Sequence, residues 1–208
     1  DLDLFDKNNL EQQQITALKN ELNIQENDYV LLYLGSIGTW YMLTEMMQFF
    51  AEFKKQEPSA KFLFVTKDEH ERILKTAAYY NVKDAIIIRA GNRNEIPALI
   101  SICHYSIFFI LPSYSKRASS PTKQGEIMAM GKPVICNSHV GDTDFIVNNY
   151  NAGYVVKNVY EMDFSEDVNF SLIKKYNPEQ IIAGAKDYFS LENGVQKYAE
   201  TYQSVLAK

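Results

Sequence analysis

Cysteine is nearly absent. Cys103 and Cys136 are the only two in 208 residues, too few for a disulfide scaffold at this size. Both fall in apolar segments, so two buried free thiols are expected. Histidine occurs three times and tryptophan once. Basic excess is missing too: 21 Lys and Arg lie scattered against 26 Asp and Glu, for a net charge of −5. That balance disfavours nucleic acid or an anionic membrane surface as partner. No apolar run approaches the ~20 residues of a membrane span; the longest, "SIFFIL", fits a buried strand. There is no G-x-G-x-x-G fingerprint and no Walker A sequence, so nicotinamide cofactors are not supported. No signal peptide is visible, and the chain reads as cytoplasmic.

What is present is a 46% hydrophobic content, enough for one large core. Short apolar runs alternate with helical patterns. Strands are expected at 29–35, 61–66, 84–90, 107–113, "PVICNS" and 153–156. Between them lie helical patterns at 39–56, "DEHERILKTAAYYN", "NEIPALISICHYS" and "DTDFIVNNYN". The third of these is expected to be capped by Asn94, with Pro97 in its first turn. Such alternation specifies right-handed βαβ crossovers and a sheet covered on both faces. The expected fold class is α/β: an open, doubly wound, Rossmann-like parallel sheet of about six strands.

Three regions are expected. Residues 1–28 form a linker and a leading helix with Leu10, Leu18 and Leu22 on its apolar stripe; residues 29–190 form the Rossmann-like domain. Residues 191–208 form a C-terminal helix packing on it, where Val195, Tyr198, Tyr202 and Val205 recur at helical spacing and read as core. Residues 157–177 are the least patterned. The opening "DLDLFDKNN" lacks an initiator Met and reads as the interior of a longer protein, or as a trimmed or processed start.

Ligands of open α/β sheets bind at the carboxyl ends of the strands. The loops there are "GSIGTWY", "AGNRNE", "PSYSKRASSPTK" and "SHVGDTD". In "GSIGTW", the glycines make a close-approach turn into a helix, which either faces an anion or is simply tight. Trp40, in the same loop, would cap a cleft, meet a partner domain or pack on the surface.

The densest chemistry lies in "SSPTKQGEIMAMGKPVI", 119–135. Ser119 or Ser120 can cap a helix, Pro121 suits its first position, and Gly131 followed by Pro133 stops it, giving a helix over 121–130. Lys123 puts a full positive charge at the positive end of that helix, which is unfavourable unless an anion is shared between them. Gly125 costs roughly 1 kcal/mol against Ala in a helix interior, so something must come close. Glu126 stands at the edge of the apolar "IMAM", where a carboxylate can accept two ribose hydroxyls. A bland alternative stays open: Lys123 and Glu126 as a surface pair worth a few tenths of a kcal/mol. Asp142-Thr143-Asp144 has the form of a metal-holding Asp-x-Asp. It opens a helix, where Asp commonly caps, and oxygen-ligated divalent sites need more convergent ligands, so no metal is expected.

"ASSPTKQGEIMAMGKPVICNSHVGDTDFIV" resembles the nucleotide-sugar-binding half of GT-B glycosyltransferases, specifically the retaining family 4. So do "RNEIPALIS", the closing "FSLENGVQKYAETY" and the linker-like "DLDLF". The resemblance covers nearly the whole chain. It implies one half of a GT-B architecture, binding a nucleoside-diphosphate sugar without a metal or other cofactor. The missing N-terminal domain would bind a glycan or lipid-linked acceptor. It further implies that Glu126 binds the ribose, Lys123 the diphosphate, and Ser119, Ser120 and Thr122 line phosphate and sugar. Gly91, Asn92 and Arg93 would hold the base, largely through backbone, with Gly35, Ser36 and Gly38 approaching the phosphate from the other side.

Three departures stand out. Ala118 occupies the position of a sugar-contacting Glu, and the first loop lacks the family's Arg and Lys, so that Lys116, Arg117 or Lys123 would carry the charge. The third is length, which leaves room for one of two domains. A GT-B-like epimerase half, needing His70, His104 or His139 at the sugar, and a noncatalytic nucleotide-binding module remain as alternatives. His104 ends a helix on the buried edge and is expected to pack.

Overall fold

The computed structural model describes residues 2–160, 164 and 176–207; most of the unpatterned stretch 157–177 lies outside them. Six parallel strands form one sheet: β1 (Tyr29–Leu34), β2 (Ala60–Val65), β3 (Ile86–Arg89), β4 (Tyr105–Phe108), β5 (Val134–Asn137) and β6 (Gly153–Val156). Their order is β3-β2-β1-β4-β5-β6. The chain starts at the centre, winds to one edge, then returns and winds to the other. With right-handed crossovers this reversal sends helices to opposite faces and leaves a crevice between β1 and β4.

The central strands are buried on both sides, as their continuous apolar sequences require. Val30, Leu31, Leu32 and Tyr33 of β1 and all of β4 and β5 are inaccessible. The crossovers carry α2 (Leu43–Gln56), α3 (His70–Tyr79), α4 (Ile96–Ser101), α5 (Thr122–Ala129) and α6 (Thr143–Asn149), with α1 (Gln12–Glu21) preceding the sheet. On α2, Leu43, Met46, Met47, Phe50 and Phe53 recur every three or four residues and are all buried. Leu18 of α1 is buried, and Leu10 and Leu22, just outside its two ends, pack against the core. Cys103 and Cys136 are buried free thiols.

The structure corrects several expectations. The fourth strand stops at Phe108 rather than running to 113. Its continuation turns to pair antiparallel with the first loop: Met42 N–H donates to Phe109 O at 2.9 Å and Leu111 N–H to Trp40 O at 2.8 Å. Asn137 at the end of β5 holds the freed Ile110 backbone, its side-chain amide donating to Ile110 O and accepting from Ile110 N–H, both at 2.8 Å. The cap before α4 is Asn92, not Asn94. Glu95 reaches back to Asn92 N–H at 2.9 Å across a 3-10 turn, Arg93–Glu95, that Asn94 sits inside.

The C-terminal region holds two helices. α7 (Pro178–Phe189) is capped by Asn177, whose side-chain oxygen accepts from Glu179 N–H at 2.9 Å, and Pro178 takes its first turn. This helix was not among those expected from sequence, although Asn-Pro-Glu is a helix-start signal. Ser190 then breaks the chain direction and caps α8 (Leu191–Leu206). Val195, Tyr198, Tyr202 and Val205 are each more than half exposed, and α8 buries no residue. The expected core stripe is a surface stripe among the described residues.

Candidate functional site

Two adjoining cavities open at the carboxyl edge of the sheet, the larger at the β1–β4 crevice and the smaller over the ends of β1, β2 and β3. The larger, about 330 Å³, is walled by Trp40, Tyr41, Lys116, Ser119, Ser120, Thr122 and Lys123 over an apolar floor that includes Leu34, Ile107 and Ile127. The smaller, about 200 Å³, is lined by Gly35, Ser36, Thr66, Lys67, Gly91 and again Lys123. Lys123 is thus the charged group shared by both.

Lys123 reaches this position from the first turn of α5. The expected capping does not occur: Pro121, not a serine, stands at the cap position, and no side chain caps the helix. The first amides of α5 therefore keep their partial positive charge at the crevice. Across from them Gly35 has φ 142°, and a Cβ built there would collide with Lys123 Nζ. Only glycine tolerates both the dihedral and the approach. Burial holds the Lys123 pKa below the ordinary lysine value, while Glu126 and Asp68 pull it back up. Among the described residues its ammonium has no hydrogen-bond or ion-pair partner.

The first loop is held rigidly by three contacts. Tyr33 Oη donates to Ser36 O at 2.6 Å, the Asp68 carboxylate accepts from Ile37 N–H, and Arg72 reaches Ile37 O at 3.5 Å. Asp68, Thr66 and Lys67 follow β2, whose carboxyl end was not among the loops singled out from sequence. Counting every strand end of a parallel sheet would have found them. Gly38 lines neither cavity and has open space beside it.

Glu126 lies one turn beyond Lys123, outside both cavities, and pairs with Arg93: Nη1 to Oε1 is 2.5 Å, with the Glu126 side chain 13% exposed. The Arg93 guanidinium also stacks on Phe5, 4.7 Å from the ring centre, and Phe5 is buried. Gly91 packs against Ile96, Leu99 and Val65. The Asn92 amide is engaged by Glu95.

Lys116 lies over Trp40, its Nζ 4.6 Å from the ring centre, while Arg117 sits 5.9 Å from the exposed Tyr114 ring and outside the cavities. Ser120 Oγ donates to Asp142 Oδ2 at 2.9 Å, and Tyr188 Oη donates to the same oxygen at 2.8 Å. Asp142 is therefore a tie between the loop preceding α5 and α7, not a helix cap: it makes no capping bond to α6. Among the described residues no group of three or more His, Cys, Asp and Glu side chains could hold a metal ion. Gly125 does have a close neighbour, but it is protein: a Cβ there would strike the Phe189 ring at 2.6 Å. The glycine admits α7.

A doubly wound sheet with a lysine and a helix N-terminus at its switch point defines a domain of the kind that takes anionic ligands there. Residues 14–188 match the family model described as Glycosyl transferases group 1, and the chain belongs to that family. A lipopolysaccharide 1,2-N-acetylglucosaminetransferase of Salmonella typhimurium is 25% identical over 196 residues, covering 88% of this chain and 50% of its own length. Among solved structures, a Rickettsia africae glycosyltransferase superposes with a TM-score of 0.74 at 20% identity, over 99% of this chain and 55% of that one. The Anabaena protein HepE in complex with UDP-glucose gives 0.73 at 16% identity, over 98% and 55%. The C-terminal domain of a group 1 glycosyl transferase from Francisella tularensis gives 0.64 at 16%, over 92% and 98%. The α/β fold with its six-stranded parallel sheet is that of GT-B glycosyltransferases. The chain spans half the length of the curated relative it matches. No helix among the described residues is long and apolar enough to cross a membrane.

Proposed function

We propose that the chain is the C-terminal, donor-binding half of a retaining glycosyltransferase of family 4 type. It holds a nucleoside-diphosphate sugar at the β1–β4 crevice, while a second domain, outside these residues, holds a glycan or lipid-linked acceptor. The single observation that carries this reading is Lys123: a half-buried ammonium with no hydrogen-bond or ion-pair partner among the described residues, against Gly35, where the uncapped α5 N-terminus also points. Burying a charge unpaired is unfavourable, and an anion drawn between the lysine and the helix amides offsets that cost.

In this reading the diphosphate lies between Lys123, the α5 amides and the backbone of Gly35 and Ser36. Ser119, Ser120, Thr122 and Lys116 face the sugar side, with Arg117 at the rim. Glu126 takes the ribose hydroxyls, and the Gly91–Asn92–Arg93 loop adjoins the base. As the glycosidic bond breaks, negative charge grows on the departing diphosphate, and each charge-assisted contact contributes roughly 1.5–3 kcal/mol. Lys123 and the helix dipole meet that charge, so we assign no metal ion. Without the acceptor half the chain binds and does not turn over. The full protein would act in the cytoplasm, at the inner membrane face where its acceptor is lipid-linked. An epimerase half draws no support from His104, whose ring stacks on Tyr29 at 4.4 Å and accepts from Val30 N–H at the opposite end of β1.

Calorimetric titration with UDP, GDP, ADP and CMP in metal-free buffer tests the reading. One diphosphate binds, and Lys123→Ala weakens it at least tenfold, or about 1.4 kcal/mol. Binding of none of the four, or binding indifferent to Lys123→Ala, would overturn it.

A further inference from the structure

Among the described residues, the charged side chains lining the 330 Å³ cavity are both lysines, Lys116 and Lys123, and no carboxylate joins them. The two are differently placed. Lys123 lines both cavities and rests on Gly35. Lys116 lines the larger cavity alone, its Nζ over the Trp40 ring at 4.6 Å from the ring centre. Among the described residues Lys116 has no carboxylate partner. The cation–π contact pins a side chain that would otherwise lose about 1.5–2 kcal/mol of rotamer freedom on ordering.

The floor is Leu34, Ile107, Phe108, Ile110 and Ile127, and the hydroxyls of Tyr41, Ser119, Ser120 and Thr122 stand on the walls. These neutral groups can meet sugar hydroxyls but supply no counter-charge to a lysine. A neutral hexose likewise offers Lys116 hydroxyl oxygens and no negative charge. An aromatic wall with a fixed ammonium on it suits a different ligand: a pyranose whose ring lies on the indole and whose edge carries negative charge.

We infer that the larger cavity takes a sugar bearing an anionic group of its own, a carboxylate or a phosphate, in addition to the nucleotide's diphosphate. Its ring lies along Trp40 and its charge is met by Lys116. The inference rests on the donor-site reading and deepens it by naming the substrate class. The anion can be carried by the transferred sugar, as in a hexuronate, or by a phosphorylated acceptor sugar whose anionic end enters this cavity while the second domain holds the rest of the acceptor.

The two sources separate in one set of titrations with the uridine series. UDP, UDP-glucose and UDP-glucuronate are titrated into the chain. Glucose and glucose 6-phosphate are titrated into the chain saturated with UDP. Each is repeated with Lys116→Met and Lys116→Arg. A donor-borne anion makes UDP-glucuronate bind at least tenfold tighter than UDP-glucose. An acceptor-borne anion makes glucose 6-phosphate bind at least tenfold tighter than glucose. In either case Lys116→Met collapses the ratio and Lys116→Arg retains it. Ratios near one in both arms, or a preference that survives Lys116→Met, would overturn the inference while leaving the donor site standing. Failure of every nucleotide diphosphate to bind is a different outcome, and it removes both.

Discussion

Arg93 holds Glu126. Its Nη1 lies 2.5 Å from Oε1 of the carboxylate, and the same guanidinium rests on the buried Phe5 ring. The leading segment, a loop after β3 and the second turn of α5 thereby meet at one carboxylate. The pairing orients the carboxylate through Oε1 and leaves Oε2 to accept from a ligand.

If that ligand group is a ribose diol, the effects of deleting carboxylate and hydroxyls must not add. Glu126→Ala is expected to weaken UDP at least tenfold in calorimetry, yet to change the affinity of 2′,3′-dideoxy-UDP less than threefold. Arg93→Ala is expected to weaken UDP by a smaller factor, partly restored in Arg93→Lys. Equal losses for both nucleotides in Glu126→Ala would show that the carboxylate does not touch the ribose.

Lys123 gives the site a pH dependence whose sign follows from its burial. Burial lowers its pKa from the ordinary 10.5, against the upward pull of Glu126 and Asp68, so the ammonium is lost at lower pH than in an exposed lysine. A bound diphosphate favours the ammonium. Affinity is therefore full at neutral pH and falls as pH rises through the lowered pKa, with proton uptake on binding in that window. Titrations at increasing pH in two buffers of different ionisation enthalpy read both effects. Lys123→Arg should bind with a flat profile, and a flat wild-type profile would contradict the assignment.

The strand-and-helix alternation made the sheet legible because β1, β2, β4 and β5 are largely buried on both faces and read as near-continuous apolar runs. The helix bearing Lys123 was legible for a different reason: Pro121 and Gly131 punctuate it, and Gly131 does take φ 70° at its end. What sequence could not convey was partnership. Gly125 signalled a close approach, but only packing shows that the visitor is Phe189, 64 positions along. Asp142 had a capping position and a metal-like spacing, and it serves instead as acceptor for Ser120 and Tyr188. The stripe on α8 has the period of a buried face, and period alone does not say what covers it.

Both thiols should be inert in the native chain. Burial pushes Cys103 up to about 12 and Cys136 higher still, and the thiolate is the reactive form. At pH 8 a disulfide reagent such as DTNB is expected to titrate neither cysteine over minutes. It should titrate both at once in guanidinium chloride. A rapid native reaction at either would mean that its covering helix opens readily.

Tyr198 and Tyr202 lie on the exposed stripe, 72% and 67% accessible. Substituting both with serine removes no buried contact, so thermal unfolding of this chain should shift by less than about 0.5 kcal/mol. A loss of 2 kcal/mol or more would mean that the stripe is covered in solution. Sedimentation at several concentrations would then show whether a second copy is the cover.

Gly125 and Phe189 should be energetically coupled. Gly125→Ala improves helix propensity by roughly 1 kcal/mol, but its Cβ would lie 2.6 Å from the Phe189 ring. Overpacking of this kind typically costs 1–3 kcal/mol, so the single substitution is expected to destabilise by up to about 2 kcal/mol in denaturant unfolding. Phe189→Ala alone leaves a gap against α5 and also destabilises. In the double variant the added methyl enters vacated space, so the two losses fall short of their sum by at least 1 kcal/mol. Because α5 also presents Lys123, Gly125→Ala should weaken nucleotide binding as well, and Phe189→Ala should recover part of it. Additive losses in stability would mean that the ring can move aside, and that α7 covers α5 without setting its position.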